Sequence, residues 1–140
     1  MKHACAAAAL IVAFSASARA QQSGAATPRE AVDKFVAAAA AQDVSAMGMV
    51  WGSASGPARD HMTREEIEQR ELIMMRCLRH DSYKVVDERP STNGLRVLSV
   101  ELSRKDLTRP SNFTAARGPG DRWYVQSIDP NTLKDLCAQQ

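Results

Sequence analysis

At residues 72–86 the chain runs LIMMRCLRHDSYKVV, and within this stretch its hydrophobic period changes from that of a helix to that of a strand. The first half, LIMMRCL, is apolar around much of a helical circumference, as expected of a helix covered by a sheet on one side and by other helices on another. From Tyr83 onward the period is two. Helices before this boundary and strands after it predict an α+β domain with its helices on one face of a sheet.

Upstream, Thr63-Arg64-Glu65-Glu66 has the spacing of a capping box, so the boundary helix starts there and is expected to end near Arg79 or His80. Thr27-Pro28-Arg29-Glu30 carries the same signal, with Pro28 at the first helical position. Val32, Phe35, Val36 and Ala39 then recur on one face, predicting a first helix to about Ala41. Asp43 can cap a second, short helix that turns Met47, Val50 and Trp51 inward, before GSASGPARD breaks the pattern as a loop over the open end of the helix layer.

Downstream, YKVVDER, RVLSVELS, NFTAAR and RWYVQSI are short runs rich in β-branched and aromatic residues, separated by PSTNG, KDLTRPS and GPGD. Parallel strands need crossovers of about a dozen residues, so connections this short predict a four-stranded antiparallel meander. Asp129-Pro130 then opens a short closing helix, NTLKDLC. The expected architecture is three N-terminal helices packed on this sheet, with a short C-terminal helix.

The first twenty residues place a lysine near the start, an uncharged apolar run from Ala4 to Phe14, and Ala18-Arg19-Ala20 at the end. This is the pattern of a secretory signal peptide. It predicts a mature chain from Gln21, a flexible leader over 21–26, a single α+β domain over 27–140, and a periplasmic or secreted location. The apolar run is shorter than the roughly 20 residues a bilayer span requires, and no later segment is long and apolar enough for a transmembrane segment. Cleavage removes Lys2 and Arg19, so the 18 basic residues fall to 16, equal to the 16 acidic ones, all of which lie beyond position 20. The chain therefore lacks the concentrated basic face that nucleic acid binding requires. Six aromatics remain after cleavage, so much of the core must be aliphatic, Met and Ala.

PREAVDKFVAAAAAQDVSAMGMVW resembles the opening helix, aspartate and short second helix of the nuclear-transport-factor-2-like (NTF2-like), or cystatin-like, α+β superfamily, and GDRWYVQSID is similar to its last core strand. The resemblance spans most of the mature chain. It implies helices and a curved sheet that enclose a cone, used in that superfamily as an enzyme cavity, a ligand site or a packed core. The stretch 52–62 is short for the strand pair that often precedes the third helix there.

Cys77-x-x-His80 lacks the second thiol of a haem attachment motif. A structural zinc site needs four ligands and could draw only on Cys77, His80, Cys137 and His61, a spacing that matches no ordinary zinc module. Signal cleavage removes Cys5 and leaves two thiols in an oxidising compartment, which favours a Cys77 to Cys137 disulfide over metal binding or free, redox-active thiols. His80 then reads as a surface residue near a helix C-terminus. No metal and no cofactor is expected.

At 100° per residue Glu71 projects between Ile67, Met75 and Leu78, inside the apolar arc of the boundary helix. A carboxyl facing an apolar pocket has a raised pKa and can shuttle protons; the competing expectation is an ion pair with Arg64 or Arg104. Trp51, Glu71 and Met75 are the candidate ligand-pocket residues, with Trp51 and the methionines also serving as core. GSASGPAR lacks the Gly-Lys-Ser/Thr of a phosphate loop and the central serine of a nucleophile elbow. With no complete catalytic constellation, the expected function is an exported non-enzymatic domain that binds a small apolar ligand or an envelope protein. The alternative, implied by the resemblance, is a cone-pocket enzyme of isomerase or dehydratase type using Glu71. A structural or oligomerising module, including a homodimer, is the third.

Overall fold

The computed structural model describes residues 22–138, so the predicted signal segment lies outside the described residues. Helix α1 spans Pro28–Ala41, with the Glu30 N–H donated to the Thr27 hydroxyl at 3.1 Å. It buries Ala31, Val32, Phe35, Val36, Ala38 and Ala39 and stops at Gln42, whose left-handed backbone turns its N–H back onto the last helical turn. Helix α2, Val44–Val50, starts where Asp43 accepts the Ala46 N–H at 2.9 Å, and it buries Met47 and Val50. Trp51 follows, also buried.

The next segment is not the loop expected. Strands β1, Gly52–Ser53, and β2, Gly56–Pro57, form a small antiparallel hairpin, followed by a 3-10 turn over Ala58–Asp60. Gly52 makes this possible: a Cβ there would run into the Gly56 carbonyl, so only glycine lets the two backbones approach. The helical period does end here, as the breaker predicts, but the backbone pairing it permits leaves no hydrophobic period to see.

Helix α3, Arg64–Cys77, opens with both halves of its capping box: Glu66 N–H donates to Thr63 Oγ1 at 3.3 Å, and Thr63 N–H donates to Glu66 Oε2 at 2.9 Å. Its burial corrects the expectation of a helix covered on two sides. Only Glu71 and Met75 are buried within it, while Leu72 and Ile73 are 60% and 63% exposed. The helix packs chiefly on α1, α2 and the C-terminal helix α4, Lys134–Ala138. With so narrow a buried stripe, its cap carries weight: Thr63→Ala should lower stability by about 1 kcal/mol, measured as a fall in the urea midpoint. An unchanged midpoint would mean that packing alone holds α3.

Strands β3 (Ser82–Pro90), β4 (Arg96–Arg104), β5 (Leu107–Arg117) and β6 (Trp123–Ile128) form one antiparallel sheet in sequence order. The molecule is α+β, with helices against an antiparallel sheet, as the change of period predicts. Leu98, Val100 and Leu102 of β4, Phe113 and Ala115 of β5 and Val125 of β6 form the buried side under α1. Phe35 meets Phe113 edge-on with ring centroids 6.3 Å apart. The opposite side is polar, with Ser99 donating to Asn112 at 2.9 Å and Ser103 bonded to Thr108 at 2.8 Å.

Strand β5 starts earlier than the sequence suggests, because Pro110 argues against a strand interior. Pro110 pairs with Glu101 of β4, but β6 joins β5 only from Phe113 onward, so the missing N–H falls where β5 is itself an edge. Strand β3 is the other edge and lies largely outside the helix layer; its Tyr83 hydroxyl donates to Asp33 of α1 at 3.0 Å. A register shift between Val85 and Asp87, together with Lys84, Asp87, Glu88, Arg89 and Pro90, makes this edge a poor template for pairing.

Residues 23–25 of the stretch expected as a leader lie against β6. Ala25 and Trp123 exchange backbone hydrogen bonds at 2.9 and 2.8 Å, Arg122 donates to the carbonyls of Ser23 and Gly24, and Ser23 Oγ bonds Tyr124 Oη at 2.9 Å. At the other terminus Asp129 accepts the Asn131 N–H at 2.9 Å, a 3-10 turn runs over Pro130–Leu133, and α4 buries Leu136. The sulfurs of Cys77 and Cys137 lie at bonding distance, consistent with the disulfide expected from the cysteine count.

Candidate functional site

The stripe that α3 turns inward at i, i+4 and i+7 is Glu71, Met75 and Leu78. Glu71 is 1% exposed, and neither carboxyl oxygen has a hydrogen-bond partner among the described residues. The ion pair with Arg64 or Arg104 does not form: Arg64 is bound to Glu68 at 2.7 Å, one turn before Glu71, and Glu71 points instead at Gly48 of α2. A Cβ on Gly48 would sit 3.1 Å from Glu71 Oε1, so the glycine makes room for the carboxyl.

Burial is the main reason the Glu71 pKa is pushed up to about 7, and the neighbouring Glu68 charge adds to it. A carboxyl in that range can give or take a proton near neutrality. Catalysis by it would call for a second polar group to orient the substrate, and the side chains that share its groove include Ser45, Arg59 and Arg64.

Glu71 and Met75 line different grooves. Glu71 borders one between α2 and α3 with Ser45, Gly48, Met62 and Ile67. Met75 borders another, of about 480 Å³, with Gln42, Leu72, Ile73, Arg76 and Arg79. Val44 at the start of α2 is shared by both. Trp51 lines neither; it is buried where its backbone bridges to Val125 of β6.

His80 is half-buried and not the surface residue expected: its Nδ1 bonds the Leu78 carbonyl at 2.6 Å and its ring meets Tyr83 edge-on. His61 Nε2 bonds the Ser55 carbonyl at 2.9 Å. Among the described residues no three His, Cys, Asp or Glu side chains gather as metal ligands would. No helix among them is long and apolar enough to cross a membrane.

The sequence reading missed Leu72 and Ile73 as surface residues. Their signal was present as a surplus: a helix that turns positions 71, 74, 75 and 78 toward the core does not need apolar side chains at 72 and 73 as well. The described residues thus form an α+β protein whose helix layer opens in two grooves between α3 and the start of α2. Comparisons with protein-family models, with curated proteins and with solved structures find no match to this chain.

Proposed function

We propose that this is an exported, non-enzymatic binding domain, periplasmic or secreted, that takes a small apolar ligand or an envelope protein on its helix layer. The carrying observation is the exposure of Leu72 and Ile73, 60% and 63%, beside the groove formed with Val44 and Met75. Large apolar side chains left side by side in water next to a concavity mark a surface that gains free energy when something covers it. The NTF2-like fold assignment belongs to the same proposal; it draws support from the order of helices and strands and from the two register shifts that increase sheet twist.

The test is the dye 1-anilinonaphthalene-8-sulfonate titrated against the folded protein. We expect its fluorescence to rise with the native protein and to fall back by more than half in Leu72→Ser/Ile73→Ser, with the thermal midpoint of that variant unchanged or higher. Equal fluorescence from the two proteins would remove this face from consideration.

The second reading is an isomerase- or dehydratase-type enzyme in which Glu71 moves the proton. Its support is the unpartnered, buried carboxyl. Turnover of any carbonyl substrate that survives Glu71→Gln unchanged would end it.

A further inference from the structure

The groove beside Leu72 and Ile73 does not end on apolar wall. It adjoins a second hollow of about 540 Å³, the two sharing Gln42 and Arg79. The first is walled by Val44, Leu72, Ile73 and Met75, with Arg76 at its margin. The second is lined by Arg79, His80, Arg104 and Lys105.

Half of the sixteen lysines and arginines among the described residues pair with a carboxylate, and the cations of this hollow belong to the other half. Arg64, Arg96 and Arg109 hold carboxylates at 2.7, 3.0 and 2.8 Å. Arg76, Arg79, Arg104 and Lys105 take part in no ion pair among the described residues. One carboxylate, Asp81, lines the basic hollow, and it accepts the Lys105 backbone N–H at 2.7 Å. The C-terminal ends of α1 and α3 lie here too and attract cations. They do not account for Arg104, whose Nη1 is buried without a hydrogen-bond partner and therefore lacks the acceptor that a buried guanidinium nitrogen requires.

From this juxtaposition we infer that the joined groove binds a single-chain amphiphile with an anionic head group. The alkyl chain lies against Leu72, Ile73, Val44 and Met75, and the head group accepts hydrogen bonds from Arg79 and Arg104. A purely apolar ligand would leave Arg104 Nη1 without an acceptor, and a small anion would leave Leu72 and Ile73 in water. The inference rests on the apolar-ligand reading above and names the ligand class for the same surface.

The experiment is isothermal titration of the purified, oxidised protein with decanoate and with decan-1-ol, which share a chain length and differ in head-group charge. We expect decanoate to bind at least tenfold more tightly than the alcohol. The ratio should fall toward one in Arg79→Gln/Arg104→Gln, and both ligands should weaken in Leu72→Ser/Ile73→Ser, with folding of each variant checked by its thermal melt. Equal binding of the two ligands to the native protein overturns the anionic head group and leaves the apolar groove standing. Binding of neither overturns both. Inorganic phosphate binding as tightly as decanoate, or binding only to phosphatidylglycerol vesicles and not to decanoate, overturns the amphiphile in favour of an ion site or a membrane surface.

Discussion

Reducing the bond between Cys77 and Cys137 should cost the fold roughly 4 kcal/mol. The two residues are 60 positions apart, and cross-linking a loop of that length removes about this much conformational freedom from the unfolded chain in the loop-entropy account. For a domain of this size the loss corresponds to a drop of order 10–20 °C in thermal midpoint. The bond fastens the end of α3 to α4, and α3 otherwise contributes a narrow buried stripe. Urea denaturation of the oxidised protein, the dithiothreitol-treated protein and Cys77→Ser/Cys137→Ser measures the effect. A loss below about 1 kcal/mol would mean that Leu133 and Leu136, both buried, hold the C-terminal segment without help from the bond.

The second large effect is on pH. Glu71 ionises in the unfolded chain near its ordinary value of 4.5 but in the folded protein only at about 7. Below pH 4.5 both states hold the proton and Glu71 adds no pH dependence. Between these values the folded state holds a proton that the unfolded state has released, so stability falls as pH rises and levels off above the folded pKa. The fall amounts to roughly 3 kcal/mol for a shift of this size. Urea denaturation at pH 5 and pH 8 should therefore show the protein more stable at the lower value, opposite to a carboxylate held in an ion pair. Glu71→Gln should flatten the difference, and Glu71→Met, which replaces the unpartnered carboxyl with an apolar side chain of similar length, should raise stability at pH 8. A slope that persists in Glu71→Gln would assign it to another group.

The parts of this fold that were legible in sequence are those where one local rule acts alone. The caps at Thr27, Asp43 and Thr63 are side-chain-to-backbone hydrogen bonds within three residues, and all three form. The inward residues of α1 follow from period alone. The misread parts needed knowledge of what lies across the gap. Pro110 is excluded from a paired interior but tolerated at an edge, and whether β5 is an edge there depends on where β6 stops. Leu72 and Ile73 are apolar enough for a core, yet only the placement of α3 against α2 and α4 exposes them.

Glu71 shows both limits. The apolar arc located it correctly, but Arg64 pairs with Glu68 and leaves the Glu71 carboxyl unpartnered among the described residues. The room for its carboxyl depended on Gly48 of another helix. Arg104 and Arg79 come from a strand and from the end of a helix, so no spacing along the chain announces that they share one hollow.

The attachment of residues 23–25 to β6 also sets a clock. Their partners are Arg122, Trp123 and Tyr124, about a hundred positions further along. A chain emerging N-terminus first at about 5–20 residues per second must wait on the order of 5–20 s before that strand exists to receive them. Throughout that interval Ser23, Gly24 and Ala25 have no strand to pair with. Afterwards Ser23, Gly24 and Ala25 are fastened to β6, so the topology makes this early segment one of the last to find its place.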